Sequence, residues 1–225
     1  MSQELIQKVS VRGSNPLTDE IIAYDDFEGR QNFTGSGTGA DWTVALTTGG
    51  NEMVDGLQGL KLQTRLTTPA IGDQVTAIRS MHLTPHKTYC LSSAFRFSPM
   101  ANTRLVALLM DIYTGSHQCS FGVGYDPQVQ MLEYQNQPGI WDTIIGGAIA
   151  VDGAAWGRLM FAVDISIFRI ISVVCNGLVL PNLSQSVPYF VNTTAPHVDI
   201  GLFLATETAN QCTAFFDHCL YSEHR

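Results

Sequence analysis

One short segment of the chain concentrates side chains that suit the binding of a hydroxyl-rich ligand. Between residues 133 and 142 the sequence reads EYQNQPGIWD, with a Pro-Gly turn near its centre. Tyr134 and Trp141 offer aromatic faces that stack on sugar rings, while Asn136 and Asp142 offer groups that hydrogen-bond to hydroxyls. These four residues are the candidate carbohydrate-binding set. The same segment is also typical of an ordinary hairpin in which Tyr134 and Trp141 form a cross-strand aromatic pair.

The remaining reactive residues do not form a recognisable catalytic set. His82 and His86 have the spacing of metal ligands on a helix, but Pro85 lies between them and favours a loop. The sequence contains no G-x-S-x-G elbow, no P-loop and no dinucleotide-binding fingerprint. We therefore predict that the protein is not an enzyme.

The charge of the chain disfavours two classes of partner. The formal net charge is -8 at pH 7 and no stretch clusters lysine and arginine, so the attraction that dominates nucleic-acid binding is missing. No apolar run reaches the roughly 18 residues of a membrane span. We expect neither nucleic acid nor a membrane as a partner.

The N-terminal residues and the cysteines indicate where the chain is made. The first twenty residues contain neither a long apolar region nor a small-residue cleavage site, so they do not resemble a secretory signal. The 5 cysteines include no CxxC pair that would suggest a zinc or redox site. We expect a chain made in the cytoplasm without a signal peptide, with its cysteines as small buried apolar residues.

The elements that position these residues are predicted to be strands. Apolar residues alternate with period two over residues 89–97, 119–125, 159–167 and 198–204. Residues 105–112, LVALLMDI, are apolar at almost every position, which suits a strand in the middle of a covered sheet, although a buried helical turn fits the same pattern. No long amphipathic helix is evident, so the sequence predicts an all-β fold.

The strongest local signal is a hairpin. Asn176-Gly177 lies between two β-branched runs in FRIISVVCNGLVL, and this dipeptide readily adopts the positive φ angles of a type I′ turn. The twist of that turn matches the twist of paired strands. We therefore expect two antiparallel strands on either side of Asn176.

The N-terminal segment differs from the rest of the chain. Residues 1–23 are polar, mixed in charge and interrupted by Gly13 and Pro16, so we assign them to an extended arm and residues 24–225 to one β-sandwich domain. A polar terminus becomes ordered when something holds it. We expect a homo-oligomer or a larger protein assembly, built through this arm.

Four short motifs resemble those of the concanavalin A-like lectin/glucanase superfamily. They are YDDFEG at 24–29, GLQGLKL at 56–62, WGRLMFAVD at 156–164 and AFFDHCLY at 214–221. The likeness covers about 200 residues. It implies a two-sheet antiparallel jelly-roll sandwich whose first and last strands lie side by side, so that Phe27 and Phe216 are close.

The resemblance also implies a structural calcium site, since acidic residues near the first and last strands hold this ion in several related domains. The matching residues here are Asp26, Glu28 and Asp217. The family often has a second aspartate where this chain has His218, so one expected ligand is missing. The alternative is that these carboxylates are ordinary strand-end groups. Apart from this calcium we expect no cofactor.

Two functions follow from these observations. The first is a non-catalytic structural or assembly protein, such as a phage virion surface or capsid-decoration subunit. The second is a carbohydrate-binding module that uses residues 133–142. A glycoside hydrolase or polysaccharide lyase of the same fold is a further alternative. It is disfavoured because the chain lacks the E-x-D-x-E run of the glucanases and the characteristic motifs of the lyases.

Overall fold

The computed structural model describes residues 20–28, 32–48, 54, 58–187 and 189–223. In this part of the chain the regular elements are strands, apart from one turn of 3-10 helix at Met100–Asn102. No helix among the described residues is long and apolar enough to cross a membrane. The strands are β1 (Glu20–Asp25), β2 (Thr34–Gly37), β3 (Thr43–Thr47), β4 (Gly59–Gln63), β5 (Gln74–His82), β6 (Thr88–Ser98), β7 (Thr103–Tyr113), β8 (His117–Asp126), β9 (Met131–Gln137), β10 (Ile140–Ala148), β11 (Gly157–Asp164), β12 (Arg169–Cys175), β13 (Leu178–Ser186), β14 (Tyr189–Val191), β15 (His197–Thr206) and β16 (Thr213–Glu223).

The strands form two antiparallel sheets. Sheet A has the order β13-β12-β11-β6-β16-β4-β3, and β1 also pairs with β16. Sheet B has the order β10-β9-β8-β7-β15-β5-β2, and β14 also pairs with β8. One continuous cluster of buried apolar side chains includes residues from both sheets. The predicted all-β, two-sheet jelly-roll sandwich is therefore confirmed.

The first and last strands lie side by side, as expected. Strand β1 pairs with β16 in a register that places Asp25 opposite Cys219. Phe27, which follows β1, and Phe216, within β16, are both fully buried in the main core cluster. The chain therefore closes sheet A by bringing its two end strands together.

Alternation along the strands separates the core face of each sheet from its outer face. In β7, Val106, Leu108, Met110 and Ile112 lie in the main core, while Leu105 belongs to a smaller cluster on the outer face of sheet B. Strand β7 lies between β8 and β15, in the middle of this sheet. The prediction of a central strand is thus confirmed, and the helical alternative is wrong.

The hairpin around Asn176-Gly177 is also confirmed. Cys175 on β12 is paired with Leu178 on β13, which leaves two residues in the connection. Asn176 has φ 44° and Gly177 has φ 92°, both in the left-handed region. Asparagine and glycine tolerate these angles better than other residues, which explains their place in the turn.

The cysteines are buried, as predicted, and none of them forms a disulfide in the described part of the chain. Burial raises the pKa of the Cys119 thiol to about 11, and burial raises the pKa of Cys175 to about 12. A thiol with so high a pKa stays protonated at neutral pH and is a poor nucleophile or metal ligand. These side chains therefore fill core volume.

The boundary of the predicted arm differs by a few residues from the observed start of the sheet. Strand β1 begins at Glu20, so residues 20–23, assigned to the arm, form part of sheet A. Residues 1–19 lie outside the described part of the chain. The arm and its role in assembly stay predictions.

A substitution at Phe216 on β16 measures how much the pairing of the end strands contributes to the stability of the fold. Replacing this fully buried ring with alanine removes core contacts and leaves a cavity, so we expect Phe216→Ala to lower the free energy of unfolding by about 3–5 kcal/mol. The control Ile145→Ala changes an apolar side chain that is 90% exposed and should cost roughly 0.5 kcal/mol. Urea denaturation followed by circular dichroism measures both, and equal losses would contradict this account.

Candidate functional site on the outer face of sheet B

The predicted sugar-binding segment forms a hairpin at the edge of sheet B. It comprises β9 and β10, joined through Gly139 at φ 77°. Trp141 is opposite Gln135, and Asp142 is opposite Tyr134. Tyr134 and Trp141 therefore point to opposite faces of the hairpin. The predicted hairpin is present, but its predicted cross-strand aromatic pair is not.

The two aromatic rings have different surroundings. Tyr134 packs against the main core, whereas Trp141 packs against the smaller cluster on the outer face. The Trp141 ring stacks on Phe203 with centroids 6.1 Å apart. A Cβ atom at Gly122 would lie 2.9 Å from Trp141 Cη2, so the indole rests directly on this glycine. The Trp141 side chain is partly buried on the outer face of sheet B, whereas Tyr134 packs mainly against the core.

Asn136 and Asp142 lie together on the hairpin. The Asn136 amide donates a short hydrogen bond to the Asp142 carboxylate. Among the described residues, no donor reaches the buried Oδ1 atom of Asn136. Because this oxygen is buried, a ligand hydroxyl could reach it only if the hairpin moved, and sugar binding by Asn136 and Asp142 stays a prediction.

The most polar part of the outer face was not found from the sequence. Two neighbouring cross-strand rows run over β5, β15, β7 and β8 on the side opposite the core. We name these residues the polar band: Ser80, Asp199, Asp111 and Ser120 in one row, and His82, His197, Tyr113 and Gln118 in the other. Their chain neighbours Ile112, Val198 and Phe121 are buried in the core.

Two carboxylates occupy the centre of the polar band. Asp111 and Asp199 are directly opposite each other on β7 and β15. Burial, and to a lesser degree the charge of Asp199, raises the pKa of Asp111, although a hydrogen bond with Ser120 opposes the rise. Ser80 Oγ donates to Asp199 Oδ1 at 2.5 Å. Like charges directly opposite in a sheet are destabilising, so this pair costs the fold stability.

An imidazole and a phenol stack beside these carboxylates. The rings of His197 and Tyr113 are 4.0 Å apart and nearly parallel, at 6°. His197 Nδ1 lies 2.7 Å from the carbonyl oxygen of Ala195, which can only accept, so Nδ1 carries a proton. Nε2 lies 3.6 Å from Asp199 Oδ2. Burial and the two nearby carboxylates raise the pKa of Tyr113, which keeps its phenol protonated as a donor.

Other carboxylates on this face are neutralised. Arg104 pairs with Asp126 and donates to both carboxylate oxygens of Glu133 at 3.1 Å. Among the residues that the structure describes, no lysine or arginine forms an ion pair with Asp111 or Asp199. The polar band therefore combines concentrated negative charge with imidazole, phenol, amide and hydroxyl groups.

The predicted calcium ligands form hydrogen bonds with backbone N–H groups. The two carboxylate oxygens of Asp217 accept from Val54 and His218, at 2.8 and 2.7 Å. Glu28 Oε1 accepts from Gln58 at 3.0 Å, and Asp26 Oδ1 accepts from Glu28 at 3.2 Å. Within the described ranges, no three histidine, cysteine or acidic side chains form a group that could hold a metal. The structure thus does not assemble Asp26, Glu28 and Asp217 into a ligand set, and calcium stays a prediction.

The two histidines with metal-ligand spacing are separated by the end of a strand. His82 is the last residue of β5 and belongs to the polar band, while His86 lies in the following loop. The backbone N–H of His86 donates to the Tyr89 hydroxyl at 3.3 Å. The predicted loop between them is confirmed.

Several solved structures share this fold. The "Cellulose induced protein, Cip1" matches with a TM-score of 0.62 at 14% identity, over 88% of this chain and 96% of that one. An endo-beta-1,4-glucuronan lyase from the fungus Trichoderma reesei matches with a TM-score of 0.59 at 13% identity, over 90% and 95%. A conserved carbohydrate esterase from the Shiga toxin-encoding bacteriophage phi24B matches with a TM-score of 0.55 at 13% identity, over 92% and 100%.

Sequence comparison adds no closer relative. No family model matches the chain, and no curated protein matches it. At these identities the structural matches establish the fold alone. The chain adopts a concanavalin A-like sandwich, as its motifs implied.

The carboxylate pair predicts a specific pH dependence of stability. Because the pKa of Asp111 is raised on folding, its stabilising contribution is complete below the unfolded value of about 3.9 and is lost as pH rises through the folded value. Asp111→Asn should therefore raise the free energy of unfolding at pH 7 by about 0.5–1 kcal/mol, and this gain should disappear below about pH 4.

Urea titrations at the two pH values measure this difference. Asp152→Asn is the control, because Asp152 is exposed and caps a turn by accepting from the Ala154 N–H, which asparagine also does. A destabilised Asp111→Asn protein at pH 7 would show that the carboxylate is structurally required.

Proposed function

We propose that this protein binds a carbohydrate across the outer face of sheet B, with the polar band at one end of the site and without catalysing a reaction. The observation that carries the proposal is the Asp111–Asp199 pair, in which two carboxylates on neighbouring strands face each other without a lysine or arginine partner among the described residues. Carboxylates of this kind accept hydrogen bonds from the neighbouring hydroxyls of a sugar.

The stability cost of the pair supports a ligand-binding role. Burying a carboxylate is unfavourable, and a second carboxylate directly opposite adds repulsion. Apolar or hydroxyl residues at the two positions would avoid both costs. This loss of stability is explained if, in the bound state, ligand hydroxyls donate hydrogen bonds to the oxygens of the two carboxylates.

The shape of the face supports an extended ligand. The cross-strand row next to the Asp199–Asp111 row consists of Gly201, Leu109 and Gly122. Leu109 packs against both glycines and the Trp141 indole covers Gly122, so this row is a low apolar surface between the polar band and the indole. Trp141 and Phe203 lie beyond them. A chain of sugars would contact the polar band at one end and the indole edge at the other. The names of the fold relatives, which include a glucuronan lyase and a carbohydrate esterase, agree with this class of ligand.

Glycan-array binding followed by titration with the best ligand tests the proposal. Asp199→Asn and Trp141→Ala should each weaken binding about tenfold or more, because each removes a contact at one end of the face. Asp152→Asn should bind as the native protein does. Absence of binding to any glycan, or unchanged affinity in both variants, would refute the proposed site.

The same experiment distinguishes binding from hydrolysis. A carboxyl group that holds its proton beside a charged carboxylate is the arrangement used in glycoside cleavage, and the raised pKa of Asp111 is consistent with that role. A reducing-end assay on the bound glycan decides between the two. If the native protein releases new reducing ends and Asp111→Asn does not, the function is hydrolysis and not binding alone.

Assembly into a larger particle is a second candidate function, as the sequence predicted. Strand β14 places Tyr189, Phe190 and Val191 at the surface, with exposed fractions of 56%, 43% and 83%. Three consecutive exposed apolar residues on a short strand favour a contact with another protein. A phage virion subunit that also binds glycans would combine both candidate functions.

Light scattering on the purified protein tests the assembly role. We expect an oligomer, and we expect Val191→Lys to shift it toward the monomer because a lysine in an apolar contact loses hydration. Lys87→Gln, which changes an exposed residue in a different loop, should leave the oligomer intact. A monodisperse native monomer would remove this candidate.

A further inference from the structure

One aromatic ring extends the outer face of sheet B beyond the polar band. Phe190 on β14 is opposite Gln118 on β8. Gln118 is in turn opposite Tyr113, in the second row of the polar band. Residues directly opposite each other in an antiparallel pair lie on the same face of the sheet. Phe190 therefore continues this row, and its ring, which is 43% exposed, lies on the side of the sheet that faces away from the core.

The two chain neighbours of Phe190 point to the opposite side of β14. Tyr189 is opposite Cys119, which is buried in the main core, and its ring stacks on Phe168 with centroids 4.7 Å apart. Val191 lies on the same side as Tyr189, because side chains alternate along a strand. Among the aromatic rings that the structure describes, Phe190 stacks on none. The exposed face of Phe190 is therefore open to a ligand.

Hydrogen bonds from Asn192, just after β14, hold this strand against the polar band. The backbone N–H of Asn192 donates to the carbonyl oxygen of Ser116 at 2.9 Å. Its side-chain Nδ2 donates to Gln118 Oε1 at 3.0 Å, and its Oδ1 accepts from the Thr194 N–H at 2.9 Å. The end of β14 is thus fixed relative to β8. Phe190 is held in position before a ligand arrives, which reduces the entropy cost of binding.

Phe190 and Trp141 lie at opposite ends of one surface. The Trp141 ring rests on Gly122 of β8. Phe190 is opposite Gln118, four residues earlier on the same strand. An antiparallel strand rises about 3.4 Å per residue, so these two positions on β8 are roughly 14 Å apart. Asp111 is opposite the residue midway between them. A ligand that contacts both aromatic side chains therefore needs several sugar rings and passes over the carboxylates.

The charge between the two aromatic residues restricts the type of sugar. Asp111 and Asp199 are opposite each other there, and in the described part of the chain neither forms an ion pair with lysine or arginine. A carboxylate or sulfate group on a ligand would be repelled by these side chains and would also lose hydration. A hydroxyl group would instead donate a hydrogen bond to them. The surface therefore favours a neutral sugar over an acidic one.

We propose that the carbohydrate site extends to Phe190 and takes a linear, neutral oligosaccharide. One sugar ring stacks on Phe190, another meets the edge of the Trp141 indole, and hydroxyls between them donate to the paired carboxylates. This inference rests on the carbohydrate-binding function proposed above and adds to it a contact residue and a class of ligand. Tyr189 and Val191 face the other way, so a protein contact through them is compatible with sugar binding at Phe190.

Calorimetric titration of the intact chain with hexasaccharides of β-1,4-linked glucose, mannose and galactose tests the proposal. At least one of them should bind, about tenfold or more tightly than its own disaccharide and than a hexasaccharide of β-1,4-linked glucuronate. Phe190→Ala should weaken binding of that neutral hexasaccharide about fivefold or more, because the stacked ring is lost, and Phe190→Trp should retain it. The control Val191→Ala changes the next side chain, which is 83% exposed on the opposite side of β14, and should bind as the native protein does.

The inference is overturned if Phe190→Ala binds the neutral hexasaccharide as tightly as the native protein, or if Val191→Ala loses as much affinity. Equal affinity for the disaccharide or for the acidic hexasaccharide also overturns it. Circular dichroism of each variant establishes that the fold is intact. Unchanged binding in Phe190→Ala, with a loss in Asp199→Asn and Trp141→Ala, would remove this inference and leave the proposed function in place. If all three neutral hexasaccharides fail to bind, the inference is wrong, while binding of another glycan on the array would still support the proposed function.

Discussion

The sandwich depends on one constraint, which is that each strand can bury only one of its two faces in the shared core. A shift of register by one residue would exchange the buried and exposed sides of a strand, and the apolar layer between the sheets makes such a shift costly. The same alternation along each strand determines which side chains lie on the outer faces of the two sheets. Asp111 faces outward because Met110 and Ile112 are required inside, and Asp199 faces outward because Val198 and Ile200 are required inside.

The end strands reinforce this constraint across the two sheets. Asp25 on β1 forms an ion pair at 3.0 Å with Arg79 on β5, so a contact near the start of sheet A reaches sheet B. The other oxygen of Asp25 accepts from the Phe27 N–H at 2.9 Å. A carboxylate that is only 8% exposed needs such partners, because removing one would leave an uncompensated charge. The ion pair therefore links strand pairing at the chain ends to sheet stacking.

Local signals in the sequence were sufficient for most of the fold but for little of the site. The dihedral preferences of Asn176-Gly177 and the period-two alternation of strands such as β6 depend on near neighbours, so they can be read directly from the sequence. The direction of Trp141 depends on Gly122 and Phe203, which lie on other strands. Alternation could place Trp141 on one face of a hairpin, but it could not show what that face would meet.

The polar band was missed for the same reason. Asp111 is the one charged residue in LVALLMDI, and Asp199 likewise interrupts an apolar strand, which is a usable signal. Their pairing, however, depends on β7 and β15 being neighbours in sheet B, and that order is set by the whole topology. The calcium prediction for Asp26, Glu28 and Asp217 was based only on their being acidic residues at matching motif positions. The backbone N–H groups that donate to these carboxylates can be identified only from the three-dimensional structure.

The contrast between the two ends of the outer face of sheet B bears on what the polar band is for. At one end, Arg104 contacts Asp126 and Glu133, so the fold places an arginine where carboxylates need neutralising. At the other end, Asp111 and Asp199 meet serine hydroxyls and the edge of an imidazole instead. An arginine in the band would stabilise the sheet, but it would also occupy the oxygens that a ligand needs. Hydroxyl partners stabilise carboxylates less and exchange more readily for the hydroxyls of a sugar. The band is thus less stable than the fold could make it, and this cost is what the proposed binding role would explain, since a ligand would then complete its polar groups.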